Sequence, residues 1–163
     1  MNWDAIGAIG EIIGAAAVVI SLLYLGVQIR SQTRQAKFSA AHDISLGFRE
    51  AMDHFSGEHI SKIYIKGLSS IDDLEDSELF EILLGALKML RVWEEAFYLH
   101  QEGQLHGKYW AGLNRQFMSY MHVPAFKHTW EIRAQFFGEE FRQMVEGSEA
   151  IDYKLRIRIR RPG

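Results

Sequence analysis

Residues 5–29, AIGAIGEIIGAAAVVISLLYLGVQI, carry one charged side chain, Glu11, and positive charge follows at once as Arg30, Arg34 and Lys37. No other feature constrains the chain so strongly. As a helix the stretch is about 37 Å long, against a bilayer hydrocarbon core of about 30 Å. It therefore predicts a membrane span with some tilt, and residues 1–30 are read as an anchor. A buried core helix is the competing assignment, but 25 residues with a single charge are long for one. A cleaved signal peptide fits poorly, because the chain starts Met-Asn-Trp-Asp with no positive leader and no small-x-small site follows the apolar run. Trp3 and Tyr24 sit near the two ends, where interfacial aromatics concentrate.

The flanks set an orientation. Residues 1–29 contain no Lys or Arg, whereas Arg30, Arg34 and Lys37 come directly after the span. The positive-inside rule then predicts an external N-terminus and a cytoplasmic C-terminal domain. Arg30, Arg34 and Lys37 are placed to meet lipid headgroups.

The small residues of the span have their own order. Gly7, Gly10, Gly14, Ala17 and Ser21 are spaced three, four, three and four apart, which keeps them on one helix face. Such a seam lets two backbones approach closely in lipid, where packing drives association. It predicts self-association or a contact to another membrane protein; the plainer reading is that Gly and Ala are frequent in spans. Glu11 lies beside the seam, and two readings of it stand: a place in the outer headgroup zone, or a polar contact to another helix.

From residue 31 the chain reads as helical. Ala41, Ile44, Phe48, Met52 and Phe55 form a stripe at helical spacing, ending at Gly57. EHISKIYIKGL is a short helix broken by Gly67 and the Ser69–Ser70 pair. In the next helix the early acids Asp72, Asp73, Glu75 and Asp76 suit the N-terminus and Gly103 the end. Apolar on most of its surface from Leu79 to Leu99, it is the expected centre of a bundle. A helix closed by Pro124 follows, then two more divided near Gly138. No alternating strand is legible before residue 150. The expected fold is all-α: the N-terminal transmembrane helix continues into an irregular cytoplasmic helical bundle over residues 31–149.

Residues 150–163 depart from this pattern. The tail is basic, with Lys154, Arg156, Arg158, Arg160 and Arg161, and it reads as disordered, although its alternation also suits an edge strand. Near an inner leaflet each basic residue contributes about 1 kcal/mol toward anionic lipid. RNA or an acidic protein are the other partners it fits. The net charge of −3 over 163 residues argues against a general nucleic-acid binder.

Chemistry is sparsely signalled. The chain has no cysteine, which excludes disulfides, thiolate metal sites and a cysteine nucleophile. No G-x-S-x-G and no Gly-rich loop after a strand occurs. The histidines form no metal-ligand pattern, and Glu50–His54 and Glu102–His106, each four apart and able to share a helix face, are common chance spacings, so neither a metal nor another cofactor is expected. The best candidate is RVWEEAFYLHQEG. Glu94 shares a face with Leu87, Leu90, Phe97 and Tyr98, an apolar setting where an unpartnered carboxylate ionises at a penalty. It is either a ligand or acid–base group, with Trp93, Tyr98 and His100 beside it, or a buried tether to a neighbouring helix. Glu95, four residues after Arg91, reads as the surface partner of that arginine. Trp93, Tyr109, Trp110, Phe117, Tyr120, Phe126 and Trp130 suit a core, or less simply a ligand pocket.

Three stretches together, WDAIGAIGEIIGAAAVVISLLYLGVQIRSQTR, WEEAFYLHQEGQL and PAFKHTWE, resemble a family of small uncharacterised bacterial proteins with one N-terminal span and a helical cytoplasmic domain. The resemblance runs to about Glu146, and the basic tail from Asp152 departs from it. It implies a bacterial inner-membrane location and no known activity, so no catalytic residue is carried over. The expectation is a non-enzymatic, membrane-anchored scaffold. The alternative is a membrane-tethered domain that binds a small ligand or lipid, or acts as an enzyme, near Glu94.

Overall fold

The computed structural model describes residues 3–148, and the tail residues Lys154, Arg156, Arg158, Arg160 and Arg161 lie outside them. The described chain is all-α. It comprises α1 (Trp3–Asp53), α2 (Glu58–Gly67), α3 (Asp76–Gln101), α4 (Gly107–Tyr120), α5 (Pro124–Arg133), a 3-10 turn (Ala134–Phe136) and α6 (Glu139–Gly147). No strand occurs among the described residues. By internal contacts the chain divides into two units, residues 1–39 and 40–163, with the boundary inside α1.

In the first unit, every residue from 9 to 39 is exposed. The most apolar 18 residues, in the helical stretch from Ile9, have a mean hydropathy of 2.3, and none of them is buried. This helix is long and apolar enough to cross a membrane.

The second unit begins where α1 first finds a packing partner. Ala40, Ile44 and Ala51 are buried there, with Phe48 and Phe55 packed against the core. Met52, placed in the stripe by its spacing, is instead 40% exposed, and Ala51 takes the inward position. The helix also stops at Asp53, four residues before Gly57, because the chain turns through Phe55 N–H to Met52 O (2.9 Å) and Ser56 N–H to Asp53 O (3.1 Å). Gly57 is the residue from which α2 starts. Gly47 lets α1 approach α3 closely, since a Cβ there would sit 3.3 Å from Val92 Cγ2.

Helix α3 is the centre of the unit and packs against α2, α4, α5 and α6. Its start is capped: the Glu78 carboxylate accepts from the Glu75 N–H at 3.1 Å, and Asp76 and Glu78 complement the positive helix end. Asp72 and Asp73 precede the helix rather than opening it. Gly103 ends it in the left-handed region (φ +68°), with Gln104 N–H returning to Leu99 O at 2.8 Å. Pro124 does not close α4, which ends at Tyr120; it opens α5 at a position where a missing N–H loses nothing.

Lys66 of α2 reaches the same Glu78, Nζ to Oε1 at 2.6 Å. This hydrogen bond, then the one from the Glu75 N–H, holds the Glu78 carboxyl below the usual glutamate range. A carboxyl whose folded-state pKa is depressed stabilises the fold above its unfolded-state pKa and loses that contribution as pH falls through the folded-state value. Glu78→Gln is therefore expected to lower stability near neutral pH and to flatten the acid limb below about pH 4. Urea denaturation across pH 3–7 checks this; parallel curves for the two proteins would remove Glu78 from the acid response.

Candidate functional site

The residues singled out around Glu94 fall at one end of the packing between α3 and the segment that follows α5. Helix periodicity turns Trp93, Ala96 and Phe97 inward, all of them buried. Glu94 lies at the edge of this face, with a side chain 15% exposed. Its Oε1 accepts the backbone N–H of Gly138 at 2.7 Å, and its Oε2 pairs with Arg91 Nη1 at 2.7 Å. Arg91 in turn donates from Nη2 to Phe136 O at 3.1 Å and lies over the Phe137 ring, 4.2 Å from its centroid. The arginine thus pairs with Glu94 one turn on, not with the exposed Glu95, because only Glu94 faces the segment that both side chains grip.

Gly138 is the N-cap of α6. Its own side-chain position is taken, since a Cβ there would collide with the Tyr98 hydroxyl. A glycine has no side chain to cap the helix, so a carboxylate from α3 does so. Chemically, Glu94 acts as a tether: both oxygens are engaged inside the protein, and the Tyr98 hydroxyl abuts the tethered glycine.

The neighbouring candidates are distributed between core and surface. Trp93 is fully buried, stacked on Phe117 at 5.3 Å and edge-on to Phe141 at 5.2 Å. Its Nε1–H donates to Asn114 Oδ1 at 2.9 Å. His100 stacks on Trp110 with centroids 5.3 Å apart, and its Nδ1 lies 3.4 Å from Leu105 O. Of the aromatic set, Phe117, Tyr120, Phe126 and Trp130 are buried, while Tyr109 and Trp110 are partly exposed. The structure brings Glu94 and Tyr98 together at Gly138, but it places Trp93 and His100 in separate contacts.

Among the described residues, no three His, Asp or Glu side chains gather as metal ligands. His54 Nε2 meets Glu81 O at 2.9 Å, and His106 caps α4 by accepting the Lys108 N–H through Nδ1 at 3.2 Å.

In the first unit, Cβ atoms built at Gly7, Gly10 and Gly14 would meet nothing within 4 Å. The seam is open along its length. Ser21 Oγ donates to Ala17 O at 2.8 Å, so the one hydroxyl of the seam is satisfied within its own helix. Arg30 and Arg34, one turn apart, flank a shallow hollow with Val27 and Ser31, and Lys37 is exposed.

Comparison of the chain with protein-family models, with curated proteins and with solved structures finds no match.

Sequence reasoning missed one feature. A cleft of about 610 Å3 in the second unit is lined from α1 and α4 by residues that include Arg49, Lys108 and Tyr109. The signal available was Lys108 with no acid three or four residues away, and a glycine one turn beyond it at 112.

Proposed function

We propose that this chain is a non-enzymatic membrane-anchored scaffold of the bacterial inner membrane, of the kind its resemblance to small single-span bacterial proteins implies. Residues from the N-terminus to about 30 anchor it with the N-terminus outside. Copies associate through Gly7, Gly10, Gly14, Ala17 and Ser21, and the helical unit is presented to cytoplasmic partners. Arg30, Arg34 and Lys37 lie against the inner-leaflet headgroups, an arrangement that the positive-inside rule favours.

One observation carries this reading: the apolar stretch of α1 buries nothing within its own chain. Ile12, Ile13, Val18, Ile20, Leu22 and Leu23 are all more than half exposed. A continuous apolar surface of this size is not left in water by soluble monomers. Lipid covers the bulky residues, and a second helix covers the smooth face, where glycines permit close van der Waals approach.

Gly14→Leu is expected to weaken association by about tenfold or more, because a leucine at the centre of the seam holds the backbones apart. Ile12→Leu, on the side of the helix opposite the seam, is the control and leaves association unchanged. Dilution in detergent micelles, read by energy transfer between labelled copies, checks this. Equal association of Gly14→Leu and the parent protein would sink the seam.

A further inference from the structure

The cleft lined from α1 and α4 combines an apolar wall with basic side chains. Phe48 and Leu113 supply its apolar wall, while His42, Arg49 and Lys108 supply donors, and no carboxylate lines it. Ser45 Oγ and the Tyr109 hydroxyl are 2.6 Å apart and tie its two walls together. Ser45 donates to Ala41 O at 2.9 Å, and the Tyr109 hydroxyl lies 3.4 Å from the same carbonyl, so both hydroxyl protons are used within this group. Gln116, the other polar side chain of the lining, donates to the Tyr120 hydroxyl at 3.0 Å, and Arg49 and Lys108 are the charged donors of the cleft.

Among the described residues, no ion pair neutralises Arg49 or Lys108. The ion pairs among the described residues are His59–Glu81, Lys62–Glu58, Lys66–Glu78, Arg91–Glu94, Lys127–Glu131 and Arg142–Glu139. None uses Arg49 or Lys108, although Asp53 lies one turn beyond Arg49. The first turn of α4, which carries Lys108, contains no acid, so the positive end of that helix adds to the same field.

Gly112 points the same way independently. It lies inside α4 and lines the cleft, and a Cβ there would meet nothing within 4 Å. Packing therefore does not require glycine, which is about 1 kcal/mol worse than alanine in a helix interior. A long side chain at this lining position would occupy the cleft.

We propose that this cleft binds a phosphate ester, with the phosphate held by Arg49 and Lys108 and the apolar portion laid on Phe48 and Leu113. The volume is in the range of small-molecule sites, and the guanidinium fork and the lysine ammonium are the usual partners of phosphate oxygens. The inference is independent of the seam. The phosphate comes from a soluble ester or from a phospholipid headgroup, and the two sources share this chemistry.

The test uses the full chain in a nonionic detergent, titrated calorimetrically with phenyl phosphate and, separately, with dioleoylphosphatidylglycerol in mixed micelles. Saturable binding of phenyl phosphate supports a soluble ester. Saturable binding of the lipid, competed by phenyl phosphate, supports a headgroup. In either case Arg49→Gln and Lys108→Gln are each expected to weaken binding about tenfold. Gly112→Leu is expected to abolish binding while its thermal midpoint stays at or above that of the parent, because leucine is the better helix former. All three positions are exposed, so the variants fold. Failure of both probes to saturate, or unchanged binding in Gly112→Leu or in the two cation variants, overturns the proposal.

Discussion

Trp93→Ala is expected to lower the stability of the helical unit by about 3–5 kcal/mol, the usual range for truncating a large buried aromatic. Trp93 has no exposed surface and joins three elements at once. It stacks on Phe117 of α4 and meets Phe141 of α6 edge-on, both of which are themselves buried. Removal leaves a cavity bounded by rigid rings that cannot collapse into it, so little of the lost contact energy is recovered. The Asn114 carbonyl oxygen also loses its donor. Set against a typical domain stability of about 5–15 kcal/mol, this is a large fraction of the total. Trp93→Phe separates the two contributions: it keeps most of the ring packing, loses the hydrogen bond, and is expected to cost about half as much or less. Urea denaturation followed by far-ultraviolet circular dichroism measures both. A loss under about 1 kcal/mol for Trp93→Ala would show that the site repacks.

Glu94→Ala is expected to cost about 2–3 kcal/mol, since hydrogen bonds to a charged group contribute about 1.5–3 kcal/mol each. The substitution leaves the Gly138 N–H uncapped and removes the partner of Arg91. The effect should concentrate in α6, a helix of 9 residues that is too short to be stable alone. Its anchors are Phe141 and Val145, both buried, and the carboxylate from α3. Glu94→Gln keeps an acceptor for Gly138 and should recover about half of the loss. Amide exchange of Gly138 and the first turn of α6 is the discriminating measurement. Faster exchange confined to that turn is the expected result for Glu94→Ala. Exchange that rises uniformly through the unit would show that Glu94 supports the whole fold rather than this helix.

Glu94 illustrates how far the sequence could be read. The spacing from Leu87 to Tyr98 put a carboxylate on an apolar face and left two roles open. The choice between them depended on what approaches that face, which is a backbone amide forty-four residues away. Helix periodicity records which residues turn inward and nothing about the partner they meet. The Arg91 pairing has the same origin. Glu94 and Glu95 are both within reach of Arg91 along the helix, and only the position of Phe136 and Gly138 selects between them. Met52 and Ala51 differ in burial by helix phase: Ala51 lies one turn from Gly47, which sits close to Val92, and seven residues from the buried Ile44, whereas Met52 is turned a further step around the helix.

The cleft was less legible still. Arg49 and Lys108 are fifty-nine positions apart, and each alone is an ordinary surface cation. Gly112 sits in an unremarkable helical run. Their meaning comes from the packing of α4 beside the end of α1, joined through Ser45 and Tyr109.

By itself the sequence determined the all-α class, most of the helix positions, the central place of α3 and the apolar character of the N-terminal stretch. These follow from local rules: side-chain periodicity, capping residues, glycine and proline punctuation, and the length of an uncharged run. Only the tertiary structure decided that Glu94 caps α6, that Trp93 is enclosed on all sides, and that Arg49 and Lys108 share one cleft. Each of these is a meeting of residues distant in the chain, and pairwise geometry of that kind arises from packing, which no single stretch of sequence encodes.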